Sequence, residues 1–132
     1  MSESHMRREV CRALKPLHAV AVENPIRPGF PDICYADGLL ELKHVRKWPT
    51  SGEAPLAVPH YTPQQRLFHR KRAKAGGRMF VVLQVGREWL LFRAVDAADR
   101  LGFASRRELL ELAILKFAHP RELLPWLTHL QR

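Results

Sequence analysis

The chain is short of cysteine, short of acids and without a long apolar run, and each shortage excludes something. Two cysteines, Cys11 and Cys34, occur in 132 residues. A disulfide scaffold is thereby excluded, and reduced thiols in a cytoplasmic compartment are expected. No apolar stretch approaches the roughly 18 residues that span a bilayer. The charged N-terminus lacks the apolar segment of a signal peptide, so no membrane role is expected. The seven histidines are scattered, with no Cys-x-x-Cys or His-x-x-x-His pair, which argues against structural zinc. A P-loop, a Gly-x-Gly-x-x-Gly turn and a Gly-x-Ser-x-Gly elbow are also absent. Acids number 13 against 22 Lys and Arg, giving a net charge of +9. That excess points to a polyanionic partner, nucleic acid before an acidic membrane surface.

What is there fits one soluble domain over residues 1–132, with 46% hydrophobic and 27% charged residues. Its organising stretch is 29–43, Gly-Phe-Pro-Asp-Ile-Cys-Tyr-Ala-Asp-Gly-Leu-Leu-Glu-Leu-Lys. Asp37-Gly38 between two apolar runs predicts a β-hairpin with a type I′ turn. With those two residues as the loop, Ala36 faces Leu39, Cys34 faces Glu41 and Asp32 faces Lys43. Asp32, Cys34, Glu41 and Lys43 then share one side, because side chains alternate along a strand. Asp32 and Glu41 become diagonal neighbours about 7–8 Å apart. Two carboxylates so placed can hold a hard cation, Mg²⁺ or Mn²⁺, with the Leu42 carbonyl as a further oxygen. Lys43 supplies a positive charge beside them. Cys34 reads as a small buried neighbour.

Around this hairpin the pattern alternates helices and strands. Ser4 is placed as the N-cap of a helix ending near Lys15 before Pro16, with Met6, Val10, Ala13, Leu14 and Leu17 as its apolar stripe. Residues 17–22 read as a first strand buried on both faces. Arg27, in the Pro-rich loop that follows, is either a phosphate ligand at the mouth of the site or an exposed loop residue. His44, Arg46, Lys47 and Trp48 lead into an irregular segment with Pro49, Pro55 and Pro59. This reads as a flap that grips a phosphate backbone and stacks an indole on a base. The alternative folds Trp48 back onto the core. Thr62 caps a helix that starts at Pro63 and ends before Gly76-Gly77. Its buried side is expected at Leu67, Phe68 and Ala75, leaving Arg66, His69, Arg70 and Arg72 for DNA. Residues 79–85 and 88–93 form a hairpin around Gly86-Arg87. Helices are expected over 96–101, 105–117 and 120–130, the second with a Ser105–Glu108 capping box.

Pro31-Asp32 followed by Glu41-Leu42-Lys43 resembles the PD-(D/E)XK nuclease superfamily. With Gly29 and Thr62-Pro63-Gln64-Gln65, it most resembles the VRR-NUC and Holliday-junction-resolvase-like branch. The resemblance covers about residues 9–92. It implies an α/β, restriction-endonuclease-like core (about 4–95) with a mixed sheet of about five strands flanked by helices, plus a helical extension (about 96–131). It implies a Mg²⁺- or Mn²⁺-dependent DNA endonuclease acting on branched or recombining DNA, in a bacterial or phage-infected cell, with a homodimer required for junction resolution. It further implies a metal-facing glutamate on the first helix, here Glu9, with Glu3 as the second choice and a solvated surface carboxylate as the plain alternative. Finally it implies a site glutamine on the Pro63 helix, Gln65 before Gln64. The competing readings are a sequence-specific restriction or homing-type endonuclease and a non-catalytic DNA-binding module of the same fold.

Overall fold

The architecture of the computed structural model, which describes residues 2–23 and 27–129, follows from one mixed sheet with helices on both faces. Six strands run in sequence order across it: β1 (Val20–Ala21), β2 (Ile33–Tyr35), β3 (Gly38–Val45), β4 (Met79–Val85), β5 (Glu88–Arg93) and β6 (Leu115–Phe117). All neighbours are antiparallel except β3 and β4. That parallel pair needs a crossover, and helix α2 (Pro63–Lys74) supplies it.

The N-terminal region departs from expectation in two places. Helix α1 (Glu3–Ala13) is capped by the hydroxyl of Ser2, which accepts from the His5 N–H, rather than by Ser4. Met6, Val10 and Leu14 are buried as expected. The chain then forms a 3-10 turn over Lys15–Leu17 and turns sharply at His18, whose φ is +55°. The expected strand over 17–22 therefore shrinks to two exposed edge residues. Pro16 and left-handed His18 take the residues that a longer strand would need.

The β2–β3 hairpin forms, with its register two residues from the expected one. Tyr35 pairs with Gly38, Cys34 with Leu39 and Ile33 with Leu40. The turn is thus Ala36-Asp37, and none of residues 36–38 has positive φ. Gly38 is required for a different reason. A Cβ there would lie 2.5 Å from the Arg78 carbonyl oxygen, a contact no side chain tolerates. A shift of two preserves strand parity, so the predicted division of faces survives. One step further along the ladder, Asp32 stands directly across from Glu41 instead of diagonally.

Met79–Val85 and Glu88–Arg93 form the second hairpin with the expected bounds, and Gly86 has the φ of +60° that its turn position demands. Helix α3 (Ala94–Arg100) follows. Helix α4 (Arg106–Leu112) begins with the expected Ser105–Glu108 capping box but stops well short of Phe117. Ala113 is extended, Ile114 donates to the Leu91 carbonyl, and Leu115–Phe117 adds β6 to the open edge of β5. The apolar spacing of this segment satisfies helix and strand equally, and a free sheet edge decides between them. A 3-10 turn (Pro120–Glu122) and α5 (Leu123–His129) end the described chain; Leu130, expected in the last helix, lies outside it.

Alternation along the strands divides the interior into two layers. α1 and α5 cover one face, on which Leu40, Leu42, Val82 and Leu91 pack with Met6 and Leu127. On the other face Val81, Leu83, Leu90 and Phe92 pack with Ala97 of α3, Leu109 of α4 and Leu56, Val58 and Tyr61. The proline-rich segment is thus tied down: Leu56 donates to the Ala104 carbonyl and is buried. Among the described residues, no helix is long and apolar enough to cross a membrane.

Candidate active site

Glu41 and Lys43 occupy alternate positions at the centre of β3, opposite Val81 and Leu83 of β4. Both point to the α2 side of the sheet and both are buried, at 1% and 2% exposure. Two ionised side chains in such surroundings are costly unless paired. The pairing is extensive. Lys43 Nζ lies 3.3 Å from Glu41 Oε2. It also donates to Gln65 Oε1 at 2.8 Å and to the His60 carbonyl at 3.1 Å.

Gln65 joins the helix to the site. Its Nε2 donates to Glu41 Oε2 at 3.3 Å, while its Oε1 also accepts the Thr62 N–H. The second contact belongs to the α2 capping box, in which the Thr62 hydroxyl accepts from the Gln65 N–H. Gln64 is exposed, so the choice between the two glutamines falls on Gln65. Gly29 lets the preceding loop approach here: its φ is +85°, and a Cβ would lie 2.6 Å from the Gln64 carbonyl oxygen.

Asp32 leaves that loop toward Glu41, and its Oδ2 accepts the Leu42 N–H at 2.8 Å. Burial, and then the Glu41 carboxylate, push its carboxyl up to about 7. Burial raises Glu41 as well, opposed by Lys43. The two acids therefore compete for charge unless a cation joins them. The other oxygen of Glu41, Oε1, is buried without a hydrogen-bond donor. An orphaned carboxylate oxygen beside a second carboxylate fits a hard divalent cation, with Asp32, Glu41 and the Leu42 carbonyl as its protein oxygens and water completing the set. Among the described residues no cluster of three or more His, Cys, Asp or Glu ligands is assembled.

Glu9 pairs with His5 at 3.4 Å, one turn away on its own helix. Glu3 lies nearer: it contacts His60 at 3.3 Å, and its charge raises Glu41.

His69 is wholly buried and takes no part in a surface. Its Nδ1 is 2.6 Å from the Tyr61 hydroxyl and its Nε2 is 3.7 Å from Glu41 Oε1. Burial, then Lys43, lowers it to about 3, so it is neutral. The expected buried side of α2 is corrected accordingly: Leu67 is 51% exposed, Ala75 is exposed, and His69 is the residue that enters the interior. Apolar periodicity does not show this, since α2 lies over the polar centre of β3. The available signal is spacing: His69 comes four residues after Gln65, on the same side of the helix.

The residues expected to meet DNA divide into two groups. Arg66 donates to the carbonyls of Ala98 and Leu101, and Arg70 binds Asp99 and the Ala98 carbonyl, so both fasten α2 to α3. Arg72 stacks over Phe68. Trp48 donates to Glu88 and lies under Arg106, folded onto the second core layer. All four already have partners within the protein, though Arg70 stays 46% exposed. Arg27, Arg46 and Lys47 are exposed. His44 and Arg46 line a cleft of about 420 Å³ with Gln84 and Arg87, and alternation along β3 puts His44 on the opposite face of the sheet from Lys43. No protein-family model matches the chain, and no curated protein is similar enough to count as a relative.

Proposed function

We propose that this protein is a divalent-metal-dependent endodeoxyribonuclease with a PD-(D/E)XK site, acting on branched or recombining DNA. One observation carries the reading: a fully buried glutamate–lysine pair whose carboxylate keeps one oxygen without a donor beside Asp32. A carboxylate oxygen left without a donor beside a second buried acid and a lysine is what a resident cation would satisfy.

Mg²⁺ or Mn²⁺ held there would acidify a water molecule and offset charge on the scissile phosphate. Asp32 and Glu41 orient that centre, and Gln65 fixes Glu41 through its outer oxygen. Lys43 brings a positive charge to the attacked phosphate, held at Gln65 and His60. Arg46 and Lys47, exposed just beyond the C-terminal end of β3, are the cations nearest Lys43 in sequence that a phosphate backbone would meet. Junction resolution would need two copies acting on opposed strands.

The test is cleavage of four-way junction, flap, single-stranded and linear duplex DNA with Mg²⁺ or Mn²⁺, set against Asp32→Asn. Asp32 is half-buried, so the variant folds. We expect metal-dependent cutting that prefers branched DNA and falls about 10³-fold in the variant. Cutting confined to particular linear sequences would instead indicate a restriction-type enzyme. DNA binding without any cutting would favour the second reading, a non-catalytic DNA-binding module, which draws on the absence of a third acidic ligand among the described residues.

A further inference from the structure

We propose that the cleft at the N-terminal end of β4 binds the phosphate group of a small phosphate ester, with the Tyr35 hydroxyl as its buried hydrogen-bond donor and Arg78 and Arg93 as its counter-charges. The inference is independent of the nuclease reading, because none of these three residues belongs to the Asp32–Glu41–Lys43 centre.

Strand register assembles the cleft. Leu39 pairs with Met79 and Leu40 with Phe80, so one step back along the ladder Gly38 stands beside Arg78. The Leu39 N–H donates to the Arg78 carbonyl at 3.0 Å and fixes that step. On its other side Gly38 pairs with Tyr35. Tyr35, Gly38 and Arg78 therefore form one row across the sheet, and Arg93, opposite Phe80, belongs to the next row on the same face. Because Gly38 has no side chain, the Tyr35 ring lies across its position: a Cβ there would be 2.7 Å from the phenolic oxygen. Tyr35 is 3% exposed, yet its hydroxyl has no hydrogen-bond partner. Buried hydroxyls are normally paired, and one that lines a cleft without a partner is poised for a ligand atom.

The lining chooses the class of ligand. The cleft encloses about 450 Å³, a size suited to a small molecule. Arg78 and Arg93 line it, and no Asp or Glu does so among the described residues. Burial pushes the Tyr35 phenol up to about 12, with Arg78 opposing and Asp37 adding to the shift, so the hydroxyl keeps its proton. Two guanidinium groups and a phenolic O–H match the terminal oxygens of a phosphate monoester, which guanidinium binds through charge-assisted hydrogen bonds. Met79, Phe80 and Leu127 supply apolar wall, which inorganic phosphate would leave uncovered and the carbon part of an ester would fill. A duplex presents its phosphates on a convex surface, so an enclosed cleft suits a small ester better than a DNA backbone.

The test follows amide ¹H–¹⁵N resonances of the full chain in EDTA, so that no divalent cation is available to the Asp32–Glu41 centre. The probes are phenyl phosphate, inorganic phosphate and a linear DNA duplex. We expect phenyl phosphate to shift the Gly76, Gly77, Arg93 and Ala94 amides and to bind about tenfold or more tightly than inorganic phosphate, through its buried ring. Tyr35→Phe removes the hydroxyl alone and should weaken phenyl phosphate about tenfold; Arg93→Gln, at an exposed position, should do the same. Absence of these shifts in wild type overturns the proposal, as do shifts confined to Lys43 and Gln65 or an affinity unchanged in both variants. Equal affinity for the two phosphates, or a response to duplex DNA alone, overturns the assignment to a small ester. Should one variant not fold, the other and the wild-type titrations still decide. Phenyl phosphate binding in a protein that cuts no DNA would remove the nuclease reading and leave this one standing.

Discussion

The two faces of the sheet are built from the same strands yet differ in kind. Under α1 and α5 the layer is largely apolar: Leu40 and Leu42 of β3 meet Met6, Val10 and Leu14. Under α2 the adjacent positions of β3 are Glu41 and Lys43, closed over by Gln65 and His69. The first face is what a stable fold needs. The second gives up part of that stability to keep charges out of water in a fixed arrangement. Adjacent residues of a single strand, 40 to 43, serve the two demands in alternation.

The contrast is broken most decisively by one substitution on each face. Asp32→Asn should abolish cleavage while leaving the metal-free protein at least as stable. Leu42→Ala should cost about 2–5 kcal/mol of stability through a cavity on the dry face, as read from denaturant midpoints. If the two variants lost stability alike, the division of labour would be wrong.

A smaller effect concerns pH. The folded-state Asp32 carboxyl is raised to about 7 by burial and by Glu41. The folded protein therefore binds more protons than the unfolded chain between about pH 4 and 7. Metal-free stability should accordingly fall as pH rises through that window, by at most about 4 kcal/mol. Asp32→Asn should flatten the profile, and thermal melts from pH 4 to 8 check both. A rise in stability through that window, specific to wild type, would contradict the burial argument.

The smallest expected difference separates the arginines. Arg66→Ala should destabilise the protein by about 1–3 kcal/mol, because the Leu101 carbonyl loses its side-chain donor while the Ala98 carbonyl keeps Arg70. Arg46→Ala should leave stability unchanged and reduce the salt dependence of DNA binding by about one counterion. Salt titrations of affinity, paired with melts, would show whether the inward and outward cations differ as their contacts indicate.

Much of the site is legible in the amino-acid sequence, because strand parity is robust. A two-residue error in the hairpin register leaves Asp32, Glu41 and Lys43 on one face, whereas an error of one would scatter them. The Thr62 N-cap, the Ser105–Glu108 capping box and the β4–β5 hairpin are legible for local reasons, and Gln65 through the family resemblance. What stays hidden depends on tertiary partners. β6 exists because β5 has a free edge. Arg66, Arg70 and Trp48 look like nucleic-acid contacts until α3, Glu88 and Arg106 claim them. His69 lacks a signal in apolar periodicity because the interior it enters is polar.

Gln65 performs two tasks with one amide: its oxygen closes the first turn of α2 and receives Lys43, and its nitrogen steadies Glu41. Fraying of that opening turn would therefore disarm the centre before the sheet itself gave way. Were the centre catalytic as proposed, activity would be lost on warming before the sheet unfolds.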